Sequence, residues 1–574
     1  MPRRGEKGAT LLDTVVGTAL MLVVFLGIAA AFQFSLDVVT NNKSRAGAIA
    51  LVNERMEYLR SLSYTQIGVE GGIPAGIVPQ VETVSWNGIE YTRRTSVLYS
   101  DDPEDGLGDL DENDIIADYK TIRVEVSWMS RQGERSVTLI GRVSPNGVEV
   151  AVPGGILTIY VVNAAAVPVF DAQVDIINTE TSPAINIRTY TNSEGVVSFI
   201  GAPAASNYQI TVSRTGYSSA QTYPVTVENP DPDPRHLTVV DNQTTSSSFG
   251  IDIVSTKTVE TWKQVVPSDW EDTLDTIEFI SATSNVDVLG GNVSLAGSAP
   301  YTSPGFVRST SITPSLLAGW NSFSWVGTKP VDTEITYRVY DSSDTLIPNG
   351  ILSGNSAGFT VSPVDLSSVS SSAYPALRLY AELSTNDPNA TPSLLSWSVS
   401  YDYGPESFPN LSFSMRGLKT IGNNPTIYKY DESHSSGGGA SLTLQNIEWD
   451  TYALSVPTTT NYNLAESCNP QPEVLSPGSS QTTRLYVLPY APSSLLIDVR
   501  SSSDGALVLG ASVRLYKTGY DETLSTSSCG QTFFEELEDG TYSIEVSRSG
   551  YQTYSSAEVI VLDVSQLSVV LNAL

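Results

Sequence analysis

The chain opens on an apolar run that changes period. Residues 7–32 read KGATLLDTVVGTALMLVVFLGIAAAF, and the run continues to about Leu36. Apolar positions then thin to Ala48, Leu51, Val52, Met56, Leu59 and Leu62, while Glu54, Arg55, Glu57 and Arg60 fill the other faces. Spacings of three and four predict that the helix of the apolar run continues, amphipathic, to about Ser63. After residue 65 the period falls to two. VPQVETVSW, IEYTRRTSVLYS, YKTIRVEVSW and ERSVTLIGRVS read as strands, separated by turn signals such as Asn87-Gly88 and Gln132-Gly133. No long helical pattern follows. The predicted fold is mostly β and multidomain: one long N-terminal helix, a small antiparallel sheet over 66–148, then a string of β-sandwich modules.

An internal repeat organises that string. NYQITVSRTGY (207–217) and TYSIEVSRSGY (541–551) share Tyr, Ile, Val-Ser-Arg and Gly-Tyr at the same spacing. Upstream, LTIYVVNAAAVPVFDAQVDIIN matches LLIDVRSSSDGALVLGASVRLY, and NSEGVVSF matches SSCGQTFF. The pattern resembles the carboxypeptidase-regulatory-like (transthyretin-like) β-sandwich, a name that carries no peptidase activity. It sets two modules, at 154–228 and 494–574. Residues 405–490 read as a degenerate third copy, with LSFSMRGLKTIG, ASLTLQNIEWDTYALSV and RLYVLPY keeping the rhythm. Between them, 248–404 resembles jelly-roll, concanavalin-like surface domains. ENPDPDPRH (228–236), rich in Pro and Asp, reads as a stiff linker.

Charge narrows the partners. The 574 residues carry 31 basic and 62 acidic side chains, a net charge of −31. Such a surface repels nucleic acid and anionic lipid at long range, so no nucleic-acid partner is expected. The apolar run is long enough to cross a bilayer. Arg3, Arg4 and Lys7 before it predict a cytoplasmic N-terminus and an exported bulk.

Asp13 is the anomaly in that run. A carboxylate at a bilayer centre costs roughly 2.5–3.5 kcal/mol on insertion scales. A plain signal anchor leaves it unexplained. Lys7-Gly8-Ala9-Thr10-Leu11-Leu12-Asp13, followed by NERMEYLRSLSY, resembles the class III signal and helix of type IV pilins and type II secretion pseudopilins. The resemblance covers about 1–148 and implies a leader at 1–8, a helix at 9–65 and a pilin head at 66–148. It further implies cleavage after Gly8 by a prepilin peptidase, methylation of the new N-terminal Ala9, and Asp13 as the acidic fifth mature residue. The family usually has Phe and Glu at those two places. A buried carboxylate needs a positive partner, and the freed amino group of Ala9 on a neighbouring subunit would supply it and fix axial register. An Asp in a first helical turn is also favoured by the helix dipole.

The remaining candidate chemistry is sparse. DDPEDGLGDLDENDIIADYK (101–120) gathers oxygen ligands on a Gly-permitted turn, and Asp105, Asp109, Asp111 and Asp114 are the best ligands for a structural Ca²⁺. A solvated acidic loop accounts for the same residues. No cofactor is required. Cys468 and Cys529 can bridge the last two modules outside the cytoplasm, or stay reduced. Trp262, Trp270 and Trp320 could stack on a glycan if exposed; core packing is the simpler role for tryptophans in alternating strands. G-x-S-x-G, H-E-x-x-H and Walker motifs are absent and only two His occur, so no enzyme is expected. The expected function is a large minor pilin, at the tip of its filament or elsewhere, anchored in the membrane as a precursor and projecting modules for adhesion or spacing. Its partners would be other pilin subunits and a surface glycan or protein. A minor pseudopilin and a signal-anchored glycan-binding protein are the alternatives.

Overall fold

The computed structural model describes residues 11–102, 116–131, 133–147 and 151–574, with side chains from residue 18. The helix runs Leu11–Ser61, close to the span its periodicity predicts. Four strands follow as an antiparallel meander: Val81–Trp86, Ile89–Ser100, Tyr119–Ser130 and Gly133–Val143. The first hairpin closes through Asn87 and Gly88, both at positive φ (52° and 76°), the backbone a two-residue primed turn requires.

One face of this sheet buries the C-terminal half of the helix. Ala48, Leu51, Val52, Met56 and Leu59 pack against Tyr91, Val97, Ile122, Val124, Val126 and Trp128. The strand residues alternate because side chains two apart share a face. Polar pins reinforce the apolar contact. The Tyr91 hydroxyl donates to the Ser44 carbonyl at 2.9 Å. Arg55 and Arg93, both nearly buried, share the Glu82 carboxylate.

Three sandwiches beyond the head have one topology. In each, the first strand sits mid-layer, antiparallel to one neighbour and parallel to the module's last strand. Gly155–Val162 pairs antiparallel with Val196–Ala202 and parallel with Thr244–Gly250. Ser494–Ser501 does the same with Gln531–Phe534 and Val564–Leu571. The third instance is split. Ser255–Lys263 pairs antiparallel with Ser441–Ile447 and parallel with Ser480–Pro489. Its opposing layer comes from Asp431–Ser435, Ser412–Gly417, Asp450–Ser455 and Glu473–Leu475.

These pairings move three sequence boundaries. The first sandwich does not end at 228: its closing strand is Thr244–Gly250. The module read as 405–490 starts with Ser255–Lys263, inside the range read as the 248–404 domain. That domain is an insertion within it. It enters at Val266 and leaves at Tyr403, which are register partners on neighbouring strands, so both ends lie side by side. Its own two layers enclose Trp320, Phe323, Tyr337 and Trp397.

ENPDPDPRH is not a free linker. The Asp233 amide donates to the Ile421 carbonyl (3.1 Å), Asn423 donates back to Asp231 (3.0 Å), and Asn229 Nδ2 reaches Ile421 (2.8 Å). The stretch folds back on the split sandwich and ties it to the first.

Candidate functional site

The helix divides into two halves with different surroundings. From Ser44 onward its inner face is packed on the head sheet. Before that its apolar side chains stand clear. Leu20, Phe25, Ile28, Phe32 and Val39 are each about 62–66% exposed, and the most apolar 18-residue window has a mean hydropathy of 2.3 with none of it buried. Apolar side chains in that number, left out of any core on one continuous helix, require a lipid or protein environment.

The halves meet at a braced junction. Arg131, on the hairpin between the last two head strands, donates to Asp37 (3.0 Å) and to Gln33 (3.2 Å). Lys43 Nζ reaches the Asn87 carbonyl at 3.5 Å. Gly47 lies against the Tyr91 hydroxyl, where a Cβ would collide. Asp13 lies within the helix. Gly8 and Ala9, and the acidic positions Asp105, Asp109, Asp111 and Asp114, lie outside the described residues.

Cys468 and Cys529 are disulfide-bonded, with Cα atoms 5.2 Å apart. The bridge joins the strand Tyr462–Cys468, which lines the outer edge of the split sandwich, to the turn before Gln531–Phe534. Around it, the Ser467 amide donates to Gln531 Oε1 (2.6 Å), and Asn463 Nδ2 reaches the Ala491 carbonyl and Ser494 Oγ (both 2.9 Å). Leu496 of the last sandwich enters the core of the split one. Glu466 lies close to both sulfurs. With the cysteines bonded to each other, that trio offers no thiolate to a metal.

The three tryptophans read as glycan contacts separate. Trp320 is 2% exposed, and its indole N–H donates to the Tyr374 carbonyl at 2.8 Å. It belongs to the core of the inserted sandwich and has no free face, which corrects that expectation. Trp270 is half-buried, edge-on to Phe279 at 5.7 Å. Trp262 is half-buried in the first strand of the split sandwich.

Sequence reasoning missed two charged groups in the cores. Lys257 is fully buried and paired with Glu473, which is also buried. Nζ donates further to Gln481 Oε1 (2.9 Å) and Thr483 Oγ1 (2.6 Å). Burial pushes the ammonium below its usual range, and Glu473 pulls it back. The one signal was a Lys at an inward position of an alternating strand. Lys120, 2% exposed, donates to the Tyr64 and Ile67 carbonyls at 2.7 Å each, and burial lowers its pKa to about 8.

Comparison with protein-family profiles gives no match, and none is found among curated proteins. Among solved structures, the Bacillus anthracis TIE protein aligns at 10% identity over 86% of this chain and 74% of its own, with a TM-score of 0.15. GBS52, the minor pilin of Streptococcus agalactiae, aligns at 12% over 30% of this chain and 87% of its own (TM-score 0.13). BcpA, the major pilin subunit of Bacillus cereus, aligns at 8% over 73% of this chain and 100% of its own (TM-score 0.13). Superpositions this loose carry no weight for role.

Proposed function

We propose that the chain is a large minor pilin of a type IV pilus or a related filament. The observation that carries this reading is the divided helix: one half bare and apolar, the other welded to a four-stranded head, on a single unbroken element. The bare half would lie in the membrane as a precursor and among other pilin helices after assembly. The Gly8-Ala9 junction is the processing site for a prepilin peptidase, and Asp13 faces the N-terminal amine of a neighbour. Four sandwiches on one head would crowd a shaft in which every subunit carried them, so we assign the chain to a minor or tip position. There the modules serve adhesion or spacing, and the acidic loop at 101–120 is a candidate calcium staple.

The test is the mature N-terminus, read by mass spectrometry on protein from membranes and from sheared filaments. Methylated Ala9 is the expected first residue. An N-terminus at Met1, or one beyond Ala31, would remove prepilin processing and the filament reading with it.

A further inference from the structure

The three related sandwiches treat their closing strands differently. In the split sandwich Ser480–Pro489 lies inside its layer, because Tyr462–Cys468 pairs antiparallel along its outer side. In the first, Thr244–Gly250 is the edge of its layer and shows Thr244, Ser246 and Ser248 to solvent. In the last, Val564–Leu571 is also an edge, paired on one side only, with Ser494–Ser501. Its exposed row is more apolar: Val564 (36% exposed), Gln566, Ser568 and Val570 (50%). At the registers of Val564 and Val570 the first sandwich has Thr244 and Gly250.

The open side of this strand can be placed. The Ser494 amide donates to the Asp563 carbonyl (3.1 Å), and the Ser502 amide donates to Leu571 (2.9 Å). Peptide groups alternate sides along a strand. The odd-numbered residues therefore face Ser494–Ser501, and Val564, Gln566, Ser568 and Val570 turn their N–H and C=O groups outward. The opening ends past Leu571, where the Gln552 amide donates to the Asn572 carbonyl (2.8 Å). Native edges are ordinarily blunted by charge, Pro or a bulge. Val564–Leu571 reads VSQLSVVL, without charge or Pro, and pairs without a register shift. Three other long edges do carry charge: Glu134 and Arg142 on Gly133–Val143, Asp521 and Glu522 on Tyr520–Ser525, and Glu558 on Tyr554–Val561.

We propose that Val564–Leu571 pairs antiparallel with the same strand of a second copy, about a two-fold axis at Leu567. Antiparallel pairing sets residues of one face opposite each other. In this register Val564 meets Val570 of the second copy, Gln566 meets Ser568 of the second copy, and the two Leu567 side chains meet on the core side. Apolar lies opposite apolar and polar opposite polar. Centring the axis on Gln566 or Ser568 instead would set a Val opposite Ser or Gln. The outward peptide groups then find partners, as those of Ser480–Pro489 find them in Tyr462–Cys468 within one chain. Charge selects the place. Two copies at −31 each repel at long range, so their contact falls where a strand carries no charge. Each three-stranded layer becomes half of a sheet running through both copies, and the interface is isologous. None of this depends on the filament reading.

The test is sedimentation equilibrium of the full chain in detergent, with cross-linking to read the register. A contact of this size belongs to the weak class, so a monomer–dimer equilibrium in the micromolar range is expected. Val570→Glu sets a carboxylate opposite Val564 of the second copy. It should weaken the dimer at least tenfold and leave the unfolding midpoint in place, because Val570 is half-exposed. Val564→Lys/Val570→Glu pairs opposite charges across the axis and should restore the dimer. Both native cysteines are bonded to each other, so an added thiol stands alone. Leu567→Cys should link two chains under mild oxidation, since residues opposite at such a position have Cα atoms about 4.5 Å apart. Ser565→Cys should not, because its counterpart lies about 13 Å away along the strand. A chain monomeric to about 100 μM would overturn the proposal, whatever other strand that edge then takes. A dimer indifferent to Val570→Glu would assign association to the bare helix and overturn it too. Ser565→Cys linking as readily as Leu567→Cys would overturn the register.

Discussion

Replacing Lys257 by Met tests whether the split sandwich is held as described. The ammonium is fully buried and sits among Glu473, Gln481 and Thr483. Met fills similar volume and removes the charge. Glu473 then keeps the Thr483 hydroxyl (2.8 and 2.9 Å) and Asn469 Nδ2 (3.1 Å) as donors, but it has no counter-charge in a dry site. Breaking one side of a buried pair costs about 3–5 kcal/mol, most of it from the charge left behind. For a unit of this size that lowers its unfolding midpoint by about 10 °C or more. Lys257→Met/Glu473→Leu removes both charges and should be less damaging than Lys257→Met alone by at least about 1.5 kcal/mol. Differential scanning calorimetry of the full chain reads the midpoint, and hydrogen exchange over Ser255–Lys263 assigns the loss to this sandwich. A single substitution costing under about 1 kcal/mol, or a double substitution as costly as the two singles added, would refute a buried, coupled pair.

Two further outcomes are expected. Lys120 is held neutral more readily in the fold (pKa about 8) than in the unfolded chain (10.5). The unfolded state therefore binds more protons between those values, and the unaltered protein should gain stability over Lys120→Met as pH rises from 7.5 to 10, at about 1.4 kcal/mol per unit at the steepest; parallel urea-denaturation curves across that range would count against the burial. Lys263 and Glu406 are register partners at the neck of the insertion, so replacing 264–405 by Asn-Gly should close a two-residue hairpin there and leave the split sandwich's calorimetric transition in place. Its disappearance would mean the inserted domain is structurally required.

The parts legible in the sequence were those whose signal is local. A period of 3.6 set the helix's C-terminal end to within two residues, because one face had to meet a sheet. Alternation set the head strands, because one side of that sheet is buried. The repeat was visible because both copies keep the same inward Tyr, Ile and Val: Tyr208, Ile210 and Val212 in one, Tyr542, Ile544 and Val546 in the other. What stayed hidden was pairing over long separations. Thr244–Gly250 reads TTSSSFG with only Phe249 buried, so it carries no apolar alternation to mark it as a closing strand. Ser255–Lys263 does alternate, but nothing in nine residues says that its parallel partner begins at Ser480 rather than nearby.

The tryptophans failed for a different reason, and the charges show how far pattern can be pushed. Trp320 and Phe323 both face the core though they are three apart, an odd spacing that should put them on opposite faces. A register shift between Trp320 and Ser322 supplies the extra residue that resets the phase. A bulge has no composition signature, so a sequence cannot say which of two neighbouring aromatics it turns inward. Lys257 is the opposite case. Ser255, Lys257, Val259 and Thr261 form one buried row, and the phase of that row was readable. A Lys in such a row demands a buried carboxylate, because an ammonium cannot be left unpaired in a core. Only the fold could say that the carboxylate is Glu473, 216 residues on. The pair therefore does more than satisfy two charges. It joins the two segments of the split sandwich on either side of the insertion, where apolar contacts alone would tolerate a shifted register.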